Sequence, residues 1–421
     1  MLGFSLAGLL LWLSLGLLLG LWEWPYQLLS ELGFDLQRRL WPGPTPLGVA
    51  LVFVGSLVML RLAWGPLARG RGGGLTPVMA AQLEPGQTPL QQGLALRTQL
   101  HRLPLLVLAH LSGATVGVES PSASLGASFL LACRSRCSPL AALPLPLLLA
   151  IGAGAGLGAA FRSPLLGAVY AIEELSREKG LRLVLPTLLL AGAGASVNTR
   201  LGQPAILDGL HLGPLALELW PWVLLLTVLA AALGCLFVRL LIPLAAWLKL
   251  RLQRTPWRSS LGIALMLTLL ALLSGGLSLN DGGLLLGPAL EGSPSAPPAT
   301  VLWRLIASLL SIAAGAPGGL MHDTMTLGSL LVGAFQSLPG VPPLPAPALG
   351  QLAGVGAAAL FAGANGTPLF CGLFVFTLQG DPELLPLLLL VSAISTALVS
   401  RWRSSTWNDS QMEELLSRLH G

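Results

Sequence analysis

Residues 152–175 read GAGAGLGAAFRSPLLGAVYAIEEL. Gly152, Gly154, Gly156 and Gly158 recur at a spacing that lets helix backbones approach closely. Ser163-Pro164 breaks the run, and a second apolar segment ends in Glu173 and Glu174. Upstream, residues 113–126 (GATVGVESPSASLG) place Glu119 after another Gly-rich turn. A charge in hydrocarbon is expensive, so an acid inside an apolar segment marks a functional site by default. Both acids follow turns that expose backbone amides, which suits an anion pathway with protonatable gates.

The rest of the chain supplies the hydrocarbon setting. Of 421 residues, 54% are hydrophobic and only 10% are charged, well below the ~25% of an average soluble protein. Mean hydropathy is +0.77, and Leu-rich runs recur from Met1 to Ser400. The fold class is therefore an all-α polytopic membrane protein, because lipid tolerates only helices or closed barrels and a barrel would alternate. The N-terminal run MLGFSLAGLLLWLSLGLLLGLW lacks a basic start and a cleavage site, so it reads as a retained helix. The net charge of +5 marks cytoplasmic loops rather than nucleic-acid binding. Cys133 and Cys137 in CRSRC lack further ligands nearby in sequence, so they read, like Cys235 and Cys371, as plain thiols. No metal or organic cofactor is indicated.

Several apolar stretches fall short of the ~20 residues that cross a bilayer. They are 104–116, 164–175, 184–199 and 364–378, and they read as broken or re-entrant helices, tolerated where protein or a polar cavity surrounds them. PLLGAV at 164–169 resembles PLFCGL at 368–373. A repeat at about half the chain length suits two inverted halves with a midplane site. The expected division is 1–203, a linker at 204–218, 219–400, and a short terminal helix at 401–421. Basic clusters at Arg69/Arg71, Arg177/Lys179/Arg182, Lys249/Arg251/Arg254/Arg258 and Arg401/Arg403 place those loops, and both termini, in the cytoplasm. Arg38/Arg39 runs against this scheme. Trp22, Trp24, Trp220 and Trp222 flank apolar runs as an interfacial belt would, and residues 339–347 (PGVPPLPAP) read as a connector. In the tail, Ser410 with Glu413 fits a capping box, and Leu415, Leu416 and Leu419 form an apolar face for docking.

These motifs resemble the CLC family of chloride channels and chloride/proton exchangers. Gly117-Val118-Glu119-Ser120-Pro121 keeps the Gly, Glu and Pro of the family's Gly-Arg/Lys-Glu-Gly-Pro signature. Residues 152–175 look very like its long segment ending in paired glutamates, and Glu119 and Glu174 stand at the exchangers' spacing. The resemblance implies that Glu119 is the outer gate and Glu174 the inner proton-transfer residue, with Glu173 structural. It places an anion site among Gly73, Gly74, Thr76, Gly117, Val118, Ser120, Gly319, Leu320, Met321 and Trp407. Gly73 stands where the family has serine, with Met79 as a rival occupant. Gly319-Leu320-Met321-His322-Asp323 replaces Gly-Ile-Phe-Ala-Pro, and Trp407 replaces a tyrosine. Trp407 either donates to an anion, plugs the inner vestibule or anchors at the interface. Asp323 reads as a helix cap.

The implied function is exchange of chloride, or a similar small anion, for protons by a homodimer in a bacterial inner membrane, with lipids as the surroundings. The alternatives are an uncoupled anion channel and an exchanger for fluoride or nitrate. An intramembrane hydrolase is a remote alternative: the five histidines are scattered and no G-x-S-x-G is present.

Overall fold

A computed structural model describes residues 5–41, 43–176, 178–203, 210–293 and 296–420. In chain order the first half contains α1 (Leu6–Leu40), α2 (Pro46–Ala63), α3 (Leu75–Leu83), α4 (Thr88–Gly93) and α5 (Leu96–Leu111). It continues through α6 (Glu119–Arg134), α7 (Ser138–Ala141), α8 (Leu145–Ala160), α9 (Pro164–Tyr170) and α10 (Leu181–Arg200). The second half contains α11 (Trp220–Arg254), α12 (Pro256–Leu273), α13 (Gly283–Leu290), α14 (Ala299–Ala313) and α15 (Met321–Gln336). It closes with α16 (Ala346–Asn365), α17 (Pro368–Gln379), α18 (Leu385–Val399) and α19 (Trp407–His420). Among the described residues, seven helices are long and apolar enough to cross a membrane.

Three pairs of helices match in length across the halves. α1 and α11 each have 35 residues, and α2 and α12 each have 18. α6 and α15 each have 16 residues and start 202 positions apart, at 119 and 321. Local signals set the ends. Thr45 caps α2 by accepting from the Gly48 amide at 3.1 Å, with Pro46 first in the helix. Gly366 adopts φ 83° and ends α16, and Pro368 opens α17 two residues later.

The core is built by close backbone approach. A Cβ on Gly126 of α6 would strike the Gly152 carbonyl of α8, and one on Gly328 of α15 would strike the Gly356 carbonyl of α16. The fully buried interior of α8 and α16 leaves no polar face on either. Long spans such as α2 and α12 instead expose Leu, Val and Met outward, as lipid or a second subunit requires.

Four expectations change or fall outside. Residues 184–199 are not a broken helix. They lie inside the 20-residue α10, which runs through Pro186 because its amide-less position is compensated by neighbours. Ser410 is not a cap: α19 already starts at Trp407. The preceding Thr406 does that work, its hydroxyl accepting from the Asp409 amide at 3.1 Å and donating to the Asp409 carboxylate at 2.7 Å. Arg177 and the linker residues 204–209 lie outside the described residues. Arg38, the exception to the charge scheme, pairs with Asp35 one turn earlier. The docking of α19 does occur: Trp407, Met412, Leu415, Leu416 and Leu419 pack on the core.

Substituting Gly126→Val should cost about 1–3 kcal/mol by overpacking, read as a lowered melting temperature in detergent. Gly262→Ala, where a Cβ meets open space, should leave melting unchanged.

Candidate functional site

The segments entering α6 and α15 meet head to head. The Gly117 amide donates to the Gly319 carbonyl at 3.0 Å and the Gly319 amide to the Gly117 carbonyl at 3.0 Å. The first amides of each helix have no intrahelical acceptor, so two positive helix ends converge here. They border a small chamber of about 20 Å³, room for one water-sized particle. Gly73, Gly74, Leu75 and Thr76 line it from α3, Ser120 from α6, and Gly318, Gly319, Leu320 and Met321 from α15. Trp407 and Asn408 line it from α19, and Asn365 from the end of α16.

The sequence-derived set thus gathers with two exceptions. Gly117 and Val118 sit behind the lining, with Gly117 committed to the bridge. Met79, the rival to Gly73, is buried in the core and lines no chamber wall. The missing serine at 73 has a steric cause. A Cβ there would stand 2.7 Å from the Ser120 Cβ and 3.0 Å from the Gly318 carbonyl. The chamber hydroxyls come from Ser120 and Thr76 instead. Asn365, Asn408 and Gly318 were missed. Asn365 precedes a helix break and Asn408 reads only as part of a polar tail, so neither carries a spacing signal.

Glu119 is fully buried at the first position of α6. Its Oε1 lies 2.7 Å from His322 Nδ1, and its Oε2 has no hydrogen-bond partner among the described residues. The next residue, Asp323, does not cap α15. Its Oδ1 accepts from the Arg304 guanidinium at 2.7 Å, with both side chains fully buried. Arg304 also donates to the carbonyls of Leu277, Leu279 and Asn280. It lies against Gly282, which precedes α13 at φ 87°. A side chain at 282 would displace the guanidinium.

Arg102 is the counterpart in the first half. It lies against Gly74, which precedes α3 at φ 82°. It is buried, yet its partners are neutral: Gln99 Oε1 at 2.6 Å and Ser124 Oγ at 3.0 Å. Arg102 also borders a vestibule of about 300 Å³ next to the chamber, with Arg69, Arg71, Lys249 and Arg418. Glu414 is the one carboxylate among the lining residues; it pairs with Lys249, and with Arg418 at 2.5 Å. Such a basic concavity draws anions in. Trp407 borders both spaces, so its indole stands between vestibule and chamber rather than in an interfacial belt.

Glu174 sits in a π-helical turn, Ala171–Leu175, that continues α9. Such turns recur at functional sites. Its carboxylate accepts from Asn408 at 2.7 Å and from Asn365 at 3.3 Å, the two amides that line the chamber. Glu173 points elsewhere. It accepts from the Leu369 and Phe370 amides at 3.2 and 2.7 Å and so caps α17. A further buried acid, Glu23 of α1, lies beside the Gln27–Ser122 hydrogen bond. The sequence reading did not single it out.

An all-α membrane fold with two halves, broken helices and a chamber at converging helix ends defines an anion-transport protein. A family described as voltage gated chloride channel matches residues 48–400. The voltage-gated ClC-type chloride channel ClcB of Citrobacter koseri is 30% identical over 370 residues, 82% of each chain. The chain therefore belongs to the CLC family of anion transporters. Its backbone is similar to a CLC-type fluoride/proton antiporter, at TM-score 0.76 and 23% identity over 94% of this chain and 96% of that one. It is also similar to a slow cyanobacterial Cl−/H+ antiporter, at TM-score 0.77 and 23% identity over 98% and 99%. A eukaryotic CLC transporter superposes at TM-score 0.69 and 21% identity over 97% and 74%.

Breaking one partner of the buried pair leaves an uncompensated charge. Arg304→Met should cost about 3–5 kcal/mol, and adding Asp323→Leu should recover only the charge penalty, because the carbonyls of Leu277, Leu279 and Asn280 still lack their donor. Thermal unfolding of the purified variants checks both.

Proposed function

We propose that the protein exchanges chloride, or a similar small anion, for protons across a bacterial inner membrane, with Glu119 as gate and Glu174 as proton-transfer residue. One observation carries this reading. Neither Glu119 nor Glu174 is itself in the chamber wall, but each adjoins that wall by separate contacts. Glu119 starts the helix whose second residue, Ser120, lines the wall. Glu174 is tied to that wall through Asn365 and Asn408.

The chemistry follows from charge. Helix N-termini that attract a halide also attract a carboxylate. Ionised, Glu119 competes with the transported anion for the same positive pocket. Protonated, it loses that attraction and yields its place. Anions approach through the basic vestibule, past Trp407, to the amides of α6 and α15 and the hydroxyls of Ser120 and Thr76. Protons pass by Glu174, away from the indole. The vestibule carries Arg69, Arg71 and Lys249, so it faces the cytoplasm. That orientation puts both termini inside and Glu119 toward the outer face. Subunits pair through α10 and α18, which expose Leu181, Leu390 and Leu398.

Transport by the protein in liposomes tests the reading. A chloride gradient should drive protons uphill in the wild type. Glu174→Gln, which keeps the acceptor for Asn408, should stop proton movement while anion flux persists, and Glu119→Gln should uncouple the two. Anion flux without proton movement in the wild type would establish the uncoupled channel instead, and a panel with fluoride and nitrate would reveal a different preference. Ser120→Ala should weaken halide binding about tenfold, the effect of one hydrogen bond to a charged partner, in calorimetric titrations.

A further inference from the structure

We propose that His322 is the outer proton relay of Glu119, so that the gate is a carboxylate–imidazole pair rather than a carboxylate alone. This inference rests on the reading of Glu119 as a protonatable gate.

Geometry singles out the imidazole. Among the described residues, His322 is the one side chain that hydrogen-bonds Glu119, at 2.7 Å from Nδ1 to Oε1. Glu119 itself has no exposed side-chain surface, whereas the His322 side chain keeps 15%. A proton from water therefore meets the ring first. The ring is held in place. Phe161 stacks on it at 6.5 Å between centroids, and Phe374 meets it edge-on at 6.4 Å. Its carbonyl accepts from Thr326 at 2.9 Å, one helical turn on.

Three carboxylates stand around the ring. Glu119 of α6 touches it, Asp281 faces it from the loop before α13, and Asp323 follows it on α15. Asp323 is already engaged by Arg304 of α14. Among the described residues neither Glu119 nor Asp281 forms an ion pair with an arginine or lysine. Among the described residues no cation hydrogen-bonds or ion-pairs with the imidazole.

The transfer balances without any other reactant. An imidazolium gives its Nδ1 proton to Glu119 Oε1. The products are a neutral carboxylic acid and a neutral ring with its hydrogen on Nε2. The neutral acid no longer competes for the positive helix ends and yields that place to the anion. Nδ1 is then open to water and accepts the next proton. The reverse order discharges a proton outward. Distance alone makes this a direct step, because a general acid must stand within about 2.6–3.2 Å of its acceptor.

The test is proton and chloride flux through the full chain in liposomes, with outer and inner pH varied separately. His322→Gln keeps a hydrogen bond to Glu119 but cannot titrate, and His322→Ala removes the contact. Both should lower the proton-to-chloride flux ratio by at least about tenfold, a threshold set below the ~10²–10⁴ that a positioned acid–base group contributes. Proton flux in His322→Gln should lose its wild-type dependence on outer pH and keep its dependence on inner pH. A ratio within twofold of wild type in both variants overturns the relay. So does a lower ratio with the two pH profiles unmoved or displaced together, which a merely structural role would give. Glu119→Gln separates the two levels of inference. If it uncouples transport while His322→Gln does not, only the relay fails. If wild-type protein moves no protons, the gate reading fails and takes the relay with it.

Discussion

Two backbone hydrogen bonds between Gly117 and Gly319 fix everything else at the site. They use up one amide and one carbonyl from each lead-in strand and hold the starts of α6 and α15 face to face. A helix start normally satisfies its free amides with a capping side chain or water. Here neither Val118 nor Leu320 offers a capping side chain. The free amides of both helices are thus reserved for whatever occupies the chamber. Glycine keeps both bridge positions clear: a Cβ at 117 would displace the Glu119 carboxylate, and one at 319 would press on Ser120 Oγ.

The two buried arginines show how a repeated architecture becomes directional. Arg102 and Arg304 occupy corresponding places, each against a left-handed glycine before a short helix. Their electrostatics differ because of one substitution. Residue 323 is an aspartate that neutralises Arg304, while Arg102 meets only neutral oxygens. One side of the fold therefore keeps its positive charge and the other cancels it. A symmetric scaffold acquires a basic mouth on the vestibule side alone.

Much of this was legible in the sequence, for identifiable reasons. Hydropathy gave the spans, because burial in lipid demands long apolar runs. Glu119, Glu174 and the chamber glycines could be found because intramembrane acids and Gly-rich breaks are rare and local. What failed to show was set by tertiary contact. The role of Asp323 depends on Arg304, 19 residues earlier in sequence and one helix away in space. Asn365 and Asn408 became site residues only because α16 and α19 end beside Glu174. The π-turn that aims Glu174 differs from an ordinary helix by one residue per turn, and no side-chain pattern encodes it. The steric limit on residue 73 was not legible, because it comes from Ser120 on another helix.

The terminal helix α19 supplies Trp407 and Asn408 to the chamber and seats Leu415, Leu416 and Leu419 on the core. It also follows every membrane span in the chain. During biosynthesis the spans leave the ribosome before it does. Until α19 docks, the nascent protein has no indole between vestibule and chamber, and Glu174 lacks its strongest partner. A chain with its spans inserted but α19 undocked lacks two of the residues that line its chamber. Assembly of the site thus waits on a segment that is not itself among the spans.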